Sequence, residues 1–286
     1  MAAIQFQKMQ GAGNDFVVID NRESKFRLLD LRKWCPKLCD RRFGVGGDGL
    51  IILSEDNSNE ISDFEMIYLN ADGSDAGMCG NGGRCIALFA QGLGIGNDQT
   101  VTFRVHDEFY KATLTEDAFV DLLFPMSVKA PEVFDVTNNE VFSLKPGTEH
   151  AVCLVTEEKL QSRSELLPVA RTIRSDTDHF PAGTNVNFVS NNFENFSGEI
   201  RIETYERGVE DFTYACGTGA IASAITAHNK KLVSQSDSQL PNRWKVSCLG
   251  GELEVSFSYD SYSQIYHNIS LKGPAEFVFT GEIKIT

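Results

Sequence analysis

The sequence predicts an α+β chain of two duplicated domains, dominated by strands, with one cysteine-led helix in each. Three observations carry this. Period-two alternation of apolar and polar residues recurs along the chain, most clearly in GELEVSFSY (residues 251–259), and marks half-buried strands. At 286 residues the chain exceeds the size at which a single hydrophobic core usually stops growing. The third observation is an internal echo: CGNGGRCIALFA (residues 79–90) aligns without gaps on CGTGAIASAITA (residues 216–227), with five of twelve positions identical. A tyrosine, Tyr68 or Tyr205, stands eleven residues before each cysteine, so the echo extends upstream.

In chain order, IQFQKM (residues 4–9) alternates and reads as a strand, while FVVID (16–20) and LIIL (50–53) are apolar throughout and read as fully buried strands. Helical spacing appears at residues 28–40, with Pro36 as a kink or break because proline cannot donate to the preceding turn. The run Gly44-Val45-Gly46-Gly47-Asp48-Gly49 satisfies G-x-G-x-x-G, but a dinucleotide site needs a strand before it and a helix after it. Here the order is reversed, so the run reads as a helix-to-strand loop with no nicotinamide or flavin cofactor. A helix follows Cys79, another covers residues 168–175, EIRIETY (199–205) is a strand, and a further helix follows Cys216.

Composition narrows the function. Lysine and arginine number 26 against 40 aspartate and glutamate, a formal charge of −14, which excludes a nucleic-acid partner because phosphate binding relies on clustered basic residues. A carboxylate substrate must then be held by local donors rather than by the overall field. No apolar run is long enough to span a bilayer, and the N-terminal residues lack the basic start and apolar block of a secretion signal, so a cytoplasmic location is expected, without a membrane partner. The sequons at Asn195 and Asn268 read as chance in such a chain.

Seven cysteines, an odd number, do not form a disulfide framework, and neither Cys35 with Cys39 nor Cys79 with Cys85 is completed by Cys or His at zinc-like spacing, so no metal is expected. Cys35, Cys39, Cys85, Cys153 and Cys248 read as packing thiols. For Cys79 and Cys216 the glycine-rich run that opens a helix suggests chemistry. A helix N-terminus offers unpaired N–H groups and the positive end of a dipole, which hold a carboxylate and lower the pKa of a thiol at the tip. One such element suggests a nucleophile; two, facing each other across a cleft, suggest a base and an acid acting on opposite faces of one carbon.

These residues resemble the diaminopimelate epimerase family. NADGSDAGMCGNGGRC (70–85) and YERGVEDFTYACGTGA (205–220) are similar to its two signature segments, and GAGNDF (11–16) and RFGVGGDGLI (42–51) to its N-terminal ones. The resemblance implies two pseudosymmetric domains, each a curved mixed sheet or barrel around a central helix. They comprise residues 1–124 with 273–286, carrying Cys79, and residues 125–272, carrying Cys216. It implies cofactor-independent interconversion of LL- and meso-diaminopimelate, serving lysine and peptidoglycan precursors, by a thiolate base and a thiol acid at Cys79 and Cys216.

Carried over residue by residue, the substrate α-carboxylate accepts N–H bonds from Gly80, Asn81, Gly217 and Thr218, and domain closure excludes water. Glu206 and Arg207 match a pair that holds the ammonium and carboxylate groups. Asn14, Asn70 and Asn185 match substrate-contacting asparagines, Asn70 with the most weight, and Thr148 and His150 complete the candidates. The chain departs from the family at Gly147-Thr148-Glu149-His150, where Gly-Asn-Pro-His or Gly-Ser-Pro-His is common, and at Gly49, where some members carry glutamine. Those departures concern the distal end of the substrate. A racemase of histidine, glutamate or proline type on the same fold, or a non-catalytic amino-acid-binding protein, stands as the alternative. Family members often pair, so a homodimer is also implied.

Overall fold

A computed structural model describes residues 2–58, 61–190, 198–234 and 242–285. The Asn195 sequon lies outside the described residues. The chain divides into two compact units, residues 1–125 with 272–286, and residues 126–271.

The first unit contains β1 (Ala2–Gly11), β2 (Asn14–Asp20), α1 (Leu28–Cys39), β3 (Gly49–Ser54), β4 (Phe64–Asn70), α2 (Gly80–Gly92), β5 (Thr100–Val105), β6 (Glu108–Leu114) and β7 (Phe119–Leu123). In the second lie β8 (Val128–Lys129), β9 (Glu132–Val136), β10 (Asn139–Leu144), β11 (His150–Leu154), α3 (Glu157–Leu160), α4 (Arg163–Arg174), β12 (Asn185–Ser190), β13 (Glu199–Glu206), β14 (Asp211–Phe212), α5 (Gly217–Ser234), β15 (Arg243–Cys248) and β16 (Gly251–Asp260). Strand β17 (Ile265–Pro274) carries the chain back to the first unit, where β18 (Glu276–Ile285) pairs antiparallel with β1.

The duplication is visible in the ladders. In the first unit β1–β2 is antiparallel, β2–β3 parallel, β3–β4 antiparallel, β4–β5 parallel and β5–β6 antiparallel. The second repeats that order in β10–β11, β11–β12, β12–β13, β13–β15 and β15–β16. Parallel neighbours need a crossover, and helices occupy corresponding places: α1 and α4 at the first parallel step, α2 and α5 at the second. The echoed segments therefore hold one topological position in two copies.

Strands β1 to β7 all touch α2, and β11, β12, β13, β15 and β16 all touch α5, so each sheet wraps its own helix. A helix enclosed in this way favours apolar or small residues on every face of its first turns. Residues Gly80 to Ala87 of α2 are all buried, and in α5 the alanines 220, 222, 224 and 227 are fully buried. Glycine is required where strands come closest: a Cβ on Gly82 would meet Ile51 Cδ1 at 3.0 Å, and one on Gly219 would meet Asn187 Oδ1 at 2.4 Å. Cys85 is fully buried inside α2, as a packing thiol should be, and burial pushes its pKa up to about 12.

Three local expectations need correction. Pro36 does not break α1, which runs from Leu28 to Cys39 with the proline inside it and buries Leu31, Cys35, Leu38 and Cys39 on one face. Helix α4 starts at Arg163, five residues before Pro168, because Leu166, Ala170 and Ile173 form a buried stripe at helical spacing that outweighs the proline as a start signal. Cys248 is no packing thiol: it sits half-buried at the β15–β16 turn, its thiol donating to Gly251 O at 3.1 Å.

One buried polar residue fastens α2 to the returning chain. Arg84 is fully buried, with Nε donating to Pro274 O at 3.2 Å, Nη1 to Gly80 O at 3.3 Å and Nη2 to Asn81 Oδ1 at 2.8 Å. Arg84→Ala leaves those acceptors and a cavity behind, and should lower the unfolding free energy by about 3 kcal/mol in denaturant titration.

Candidate active site

Each unit presents a cysteine at the tip of its buried helix. Cys79 is the N-cap of α2, in extended conformation (φ −118°, ψ 122°), and its sulfur accepts the Gly82 N–H at 3.5 Å. Cys216 directly precedes α5, and its sulfur accepts the Gly219 N–H at 3.4 Å. The geometry is the same twice. In both copies the amides after the cysteine, those of Gly80 and Asn81 and those of Gly217 and Thr218, belong to the first helical turn, whose N–H groups have no acceptor within the helix.

Around Cys79 the side chains are fixed from behind. Asn14, at the start of β2, donates through Nδ2 to Asp48 Oδ2 at 2.6 Å. Its Oδ1 therefore faces the site, 3.7 Å from Cys79 Sγ and 3.3 Å from Asn81 Nδ2. Asp48 in turn takes Arg41 Nη2 at 2.8 Å, and Arg41 also grips Asp15, which accepts Lys8 Nζ at 2.5 Å. Burial alone would raise the Asp15 carboxyl, but the hydrogen bonds from Arg41 and Lys8 outweigh it and hold the group well below the usual carboxylate range. The Gly44–Gly49 run is thus the helix-to-strand loop expected, and its Asp48 is a brace for Asn14.

Asn70 lies elsewhere in its surroundings. It is exposed at the end of β4, with Nδ2 on Ser74 Oγ at 3.0 Å and its carbonyl accepting the Gly73 N–H and the Cys35 thiol. At Gly49 a Cβ would come within 2.5 Å of both Leu69 O and the Tyr68 ring, so the local packing of this chain requires the glycine.

The second unit gathers more of the candidates. His150, at the start of β11, is fully buried, and its Nε2 lies 2.9 Å from Thr218 Oγ1 and 3.3 Å from Thr148 Oγ1. Thr218 Oγ1 is 3.5 Å from Cys216 Sγ. Asn185 Nδ2 is 3.4 Å from Thr148 Oγ1, while Asn185 Oδ1 accepts the Arg207 N–H at 2.9 Å. The Arg207 guanidinium is anchored by Nη1 on the carbonyls of Ala182 (2.9 Å) and Gly183 (3.1 Å), and Glu206 Oε1 accepts the Thr213 hydroxyl. Glu149 turns to an ion pair with Lys145 at 2.8 Å, so the departure at residues 148–149 adds a hydroxyl to the site and directs the carboxylate to a neighbouring lysine.

The sequence reading missed Asp48 and Asn187. Asn187 Nδ2 donates to Ala151 O and to His150 Nδ1, each at 3.0 Å, and its Oδ1 accepts the Thr204 hydroxyl at 3.0 Å. The signal was present: in GTNVNF, Asn187 is two residues beyond Asn185 and so on the same face of β12. Among the described residues no group of three or more His, Cys, Asp or Glu is placed to hold a metal ion, and no helix is long and apolar enough to cross a membrane.

Comparison with known proteins follows the duplication. The family model described as diaminopimelate epimerase matches residues 6–122 and 142–278, one stretch in each half. A diaminopimelate epimerase of Flavobacterium psychrophilum is 41% identical over 276 residues, covering 96% of this chain and 98% of that protein. One from Methanocella arvoryzae is 35% identical over 303 residues, covering 100% and 98%. Among solved structures, a hydroxyproline epimerase from Agrobacterium vitis superposes with a TM-score of 0.68 over 98% of this chain and 92% of its own, at 13% identity, which shows a shared fold.

Burial holds the His150 imidazole neutral, its pKa pushed down to about 3. Because the unfolded chain takes up that proton near pH 6.5, the stability tied to this group is fully present above that pH and is lost as pH falls toward 3. Between pH 7 and pH 5 wild type should lose about 2 kcal/mol more unfolding free energy than His150→Gln, measured by guanidinium titration at both pH values.

Proposed function

The chain belongs to the diaminopimelate epimerase family, and we infer from that membership and from the two half-sites that it is an isomerase interconverting LL- and meso-diaminopimelate. We assign the proton transfers to Cys79 and Cys216. The observation that carries the assignment is the repeated placement of a thiol at the tip of a buried helix, with its sulfur on the N–H three residues ahead.

The chemistry asks for two things. Inversion at an α-carbon needs a base on one face and an acid on the other, and a thiol serves either role because its unperturbed pKa of about 8.5 lies within reach of neutral pH. The larger demand is the carbanion, whose charge spreads into the α-carboxylate. Four first-turn amides, those of Gly80, Asn81, Gly217 and Thr218, are suited to that charge because they are donors fixed in place before the reaction begins. Asn14 contributes an amide group beside Cys79 and Asn185 one beside Thr148 and Arg207; Arg207, anchored on two carbonyls, and Glu206 serve the substrate's charged groups, with Thr148 and His150 shaping the Cys216 side. Asn70 stays in the assignment by its motif position. Exclusion of water strengthens each of these bonds.

The reading also favours a reducing compartment, the cytoplasm, because both reacting sulfurs must remain thiols to exchange protons. Pairing of two copies fits β18, where Phe277, Val278 and Phe279 are each about half exposed in succession on a strand whose one edge is taken by β1. Phe277→Glu should convert a dimeric mass in light scattering to a monomeric one, and a monomeric wild type would refute the pairing.

Incubation in deuterated water with LL-diaminopimelate and no added cofactor should give deuterium at the α-carbon and the meso isomer. Cys79→Ala and Cys216→Ala should each lose at least about a hundredfold, whereas Cys248→Ser retains activity. Exchange with histidine, glutamate or proline instead would select the racemase alternative, and exchange with none of them a binding protein.

A further inference from the structure

Arg207 belongs to a turn that is held from two sides. Residues 182–185 fasten it directly: its Nη1 donates to the Ala182 and Gly183 carbonyls, and its backbone N–H donates to Asn185 Oδ1. With Nη1 spent on two carbonyls, the opposite edge of the guanidinium, Nε and Nη2, has no partner among the described residues. Such an edge meets a carboxylate through two parallel hydrogen bonds. Where it points depends on what keeps the turn of residues 206–210 against residues 182–185.

Glu210 ties the two segments together. It ends the turn, with its N–H on Glu206 O at 2.8 Å, and stands at φ 59°, in the left-handed region that residues with a Cβ avoid. In that conformation its carboxylate lies back over the turn, where Oε1 accepts the Gly208 N–H at 3.0 Å and Oε2 accepts the Tyr205 hydroxyl at 3.4 Å. The same Oε1 takes Nε at 3.0 Å and Nη2 at 2.7 Å of Arg174, the last residue of α4. The remaining nitrogen of Arg174 lies against Gly183: a Cβ on that glycine would stand 2.2 Å from Arg174 Nη1. Gly183 therefore touches both arginines, with its Cα beside Arg174 and its carbonyl on Arg207. The Gly208 N–H and the Arg174 guanidinium hold the Glu210 carboxyl below its usual range, so the pair stays charged across neutral pH. With Glu210 nearly half exposed, the pair adds little to global stability, and its effect is local. Resting on the reading of Arg207 as a substrate-binding residue, we propose that Arg174 and Glu210 are positioning residues: their ion pair locks the 206–210 turn onto residues 182–185 and aims the Nε–Nη2 edge of Arg207 at a substrate carboxylate. Arg207 moves no proton in the scheme above. Loosening the clamp therefore weakens the hold on substrate and spares the chemical step.

The test uses the whole protein, with Arg174→Ala and Glu210→Gly as variants and two readouts. Hydrogen exchange at the Arg207 amide, whose own acceptor Asn185 is untouched in both, should quicken about tenfold in NMR spectra of the substrate-free protein. KM for LL-diaminopimelate should rise about tenfold while kcat stays within about threefold of wild type. Glycine at residue 210 accepts the left-handed conformation freely, so a raised KM there cannot come from a strained backbone. Arg174→Lys, which keeps the charge, should bring KM and exchange back to within about threefold of wild type. An unchanged KM in both variants, a fall in kcat with KM in place, or Arg207 exchange as slow as in wild type would each overturn the proposal. Exchange requires no turnover: a wild-type protein that leaves diaminopimelate unaltered would sink the functional reading, while quickened exchange in Arg174→Ala would still uphold the clamp.

Discussion

The structure depends on burying a helix on every side. A sheet that wraps α2 or α5 removes the N-terminal turns of the helix from water, and the backbone groups in the middle of that helix satisfy one another. The ends are different. At the N-terminus the first-turn amides need acceptors, and the fold supplies a cysteine sulfur for one of them in each unit. The same constraint that forces glycine and alanine into α2 and α5 thus sets a first helical turn beside each of two thiols.

Much of this was legible in the sequence because it rests on local pattern. The echo at residues 79 and 216 marks positions that are topologically equivalent, and the alternating strands and both cysteine-led helices lie where their patterns put them. The misses have physical reasons. A proline is a local signal, and in α4 a stripe of three buried side chains overrides it. Cys248 was grouped with the core by residue type, whereas a hairpin turn leaves it half-buried.

The candidate site was legible in its two helix-tip cysteines and obscure in the side chains around them. Asn14 and Asn185 looked like ordinary turn residues beside glycine, yet Asn14 lies against the Cys79 sulfur and Asn185 joins the Thr148–His150 cluster; the Asn70 side chain, given more weight, bonds within its own turn. What decides such cases is which strand lies alongside, and that is a long-range fact. Asp48 reaches Asn14 because β2 and β3 run parallel, and Asn187 reaches His150 because β11 and β12 do. The Thr148-Glu149 departure reads differently with coordinates: the hydroxyl joins the His150 cluster, and the carboxylate finds Lys145.

The pairing of Ala2 with Ile285 and of their neighbours along β1 and β18 gives the two halves different biographies. The unit of residues 126–271 is one uninterrupted stretch and is complete as soon as it leaves the ribosome. The other is split, and its strand β18 follows the whole of the second unit in the chain. A nascent chain therefore carries an unclosed β1 edge while residues 126–271 are made, and the half with Cys79 is completed only after the other.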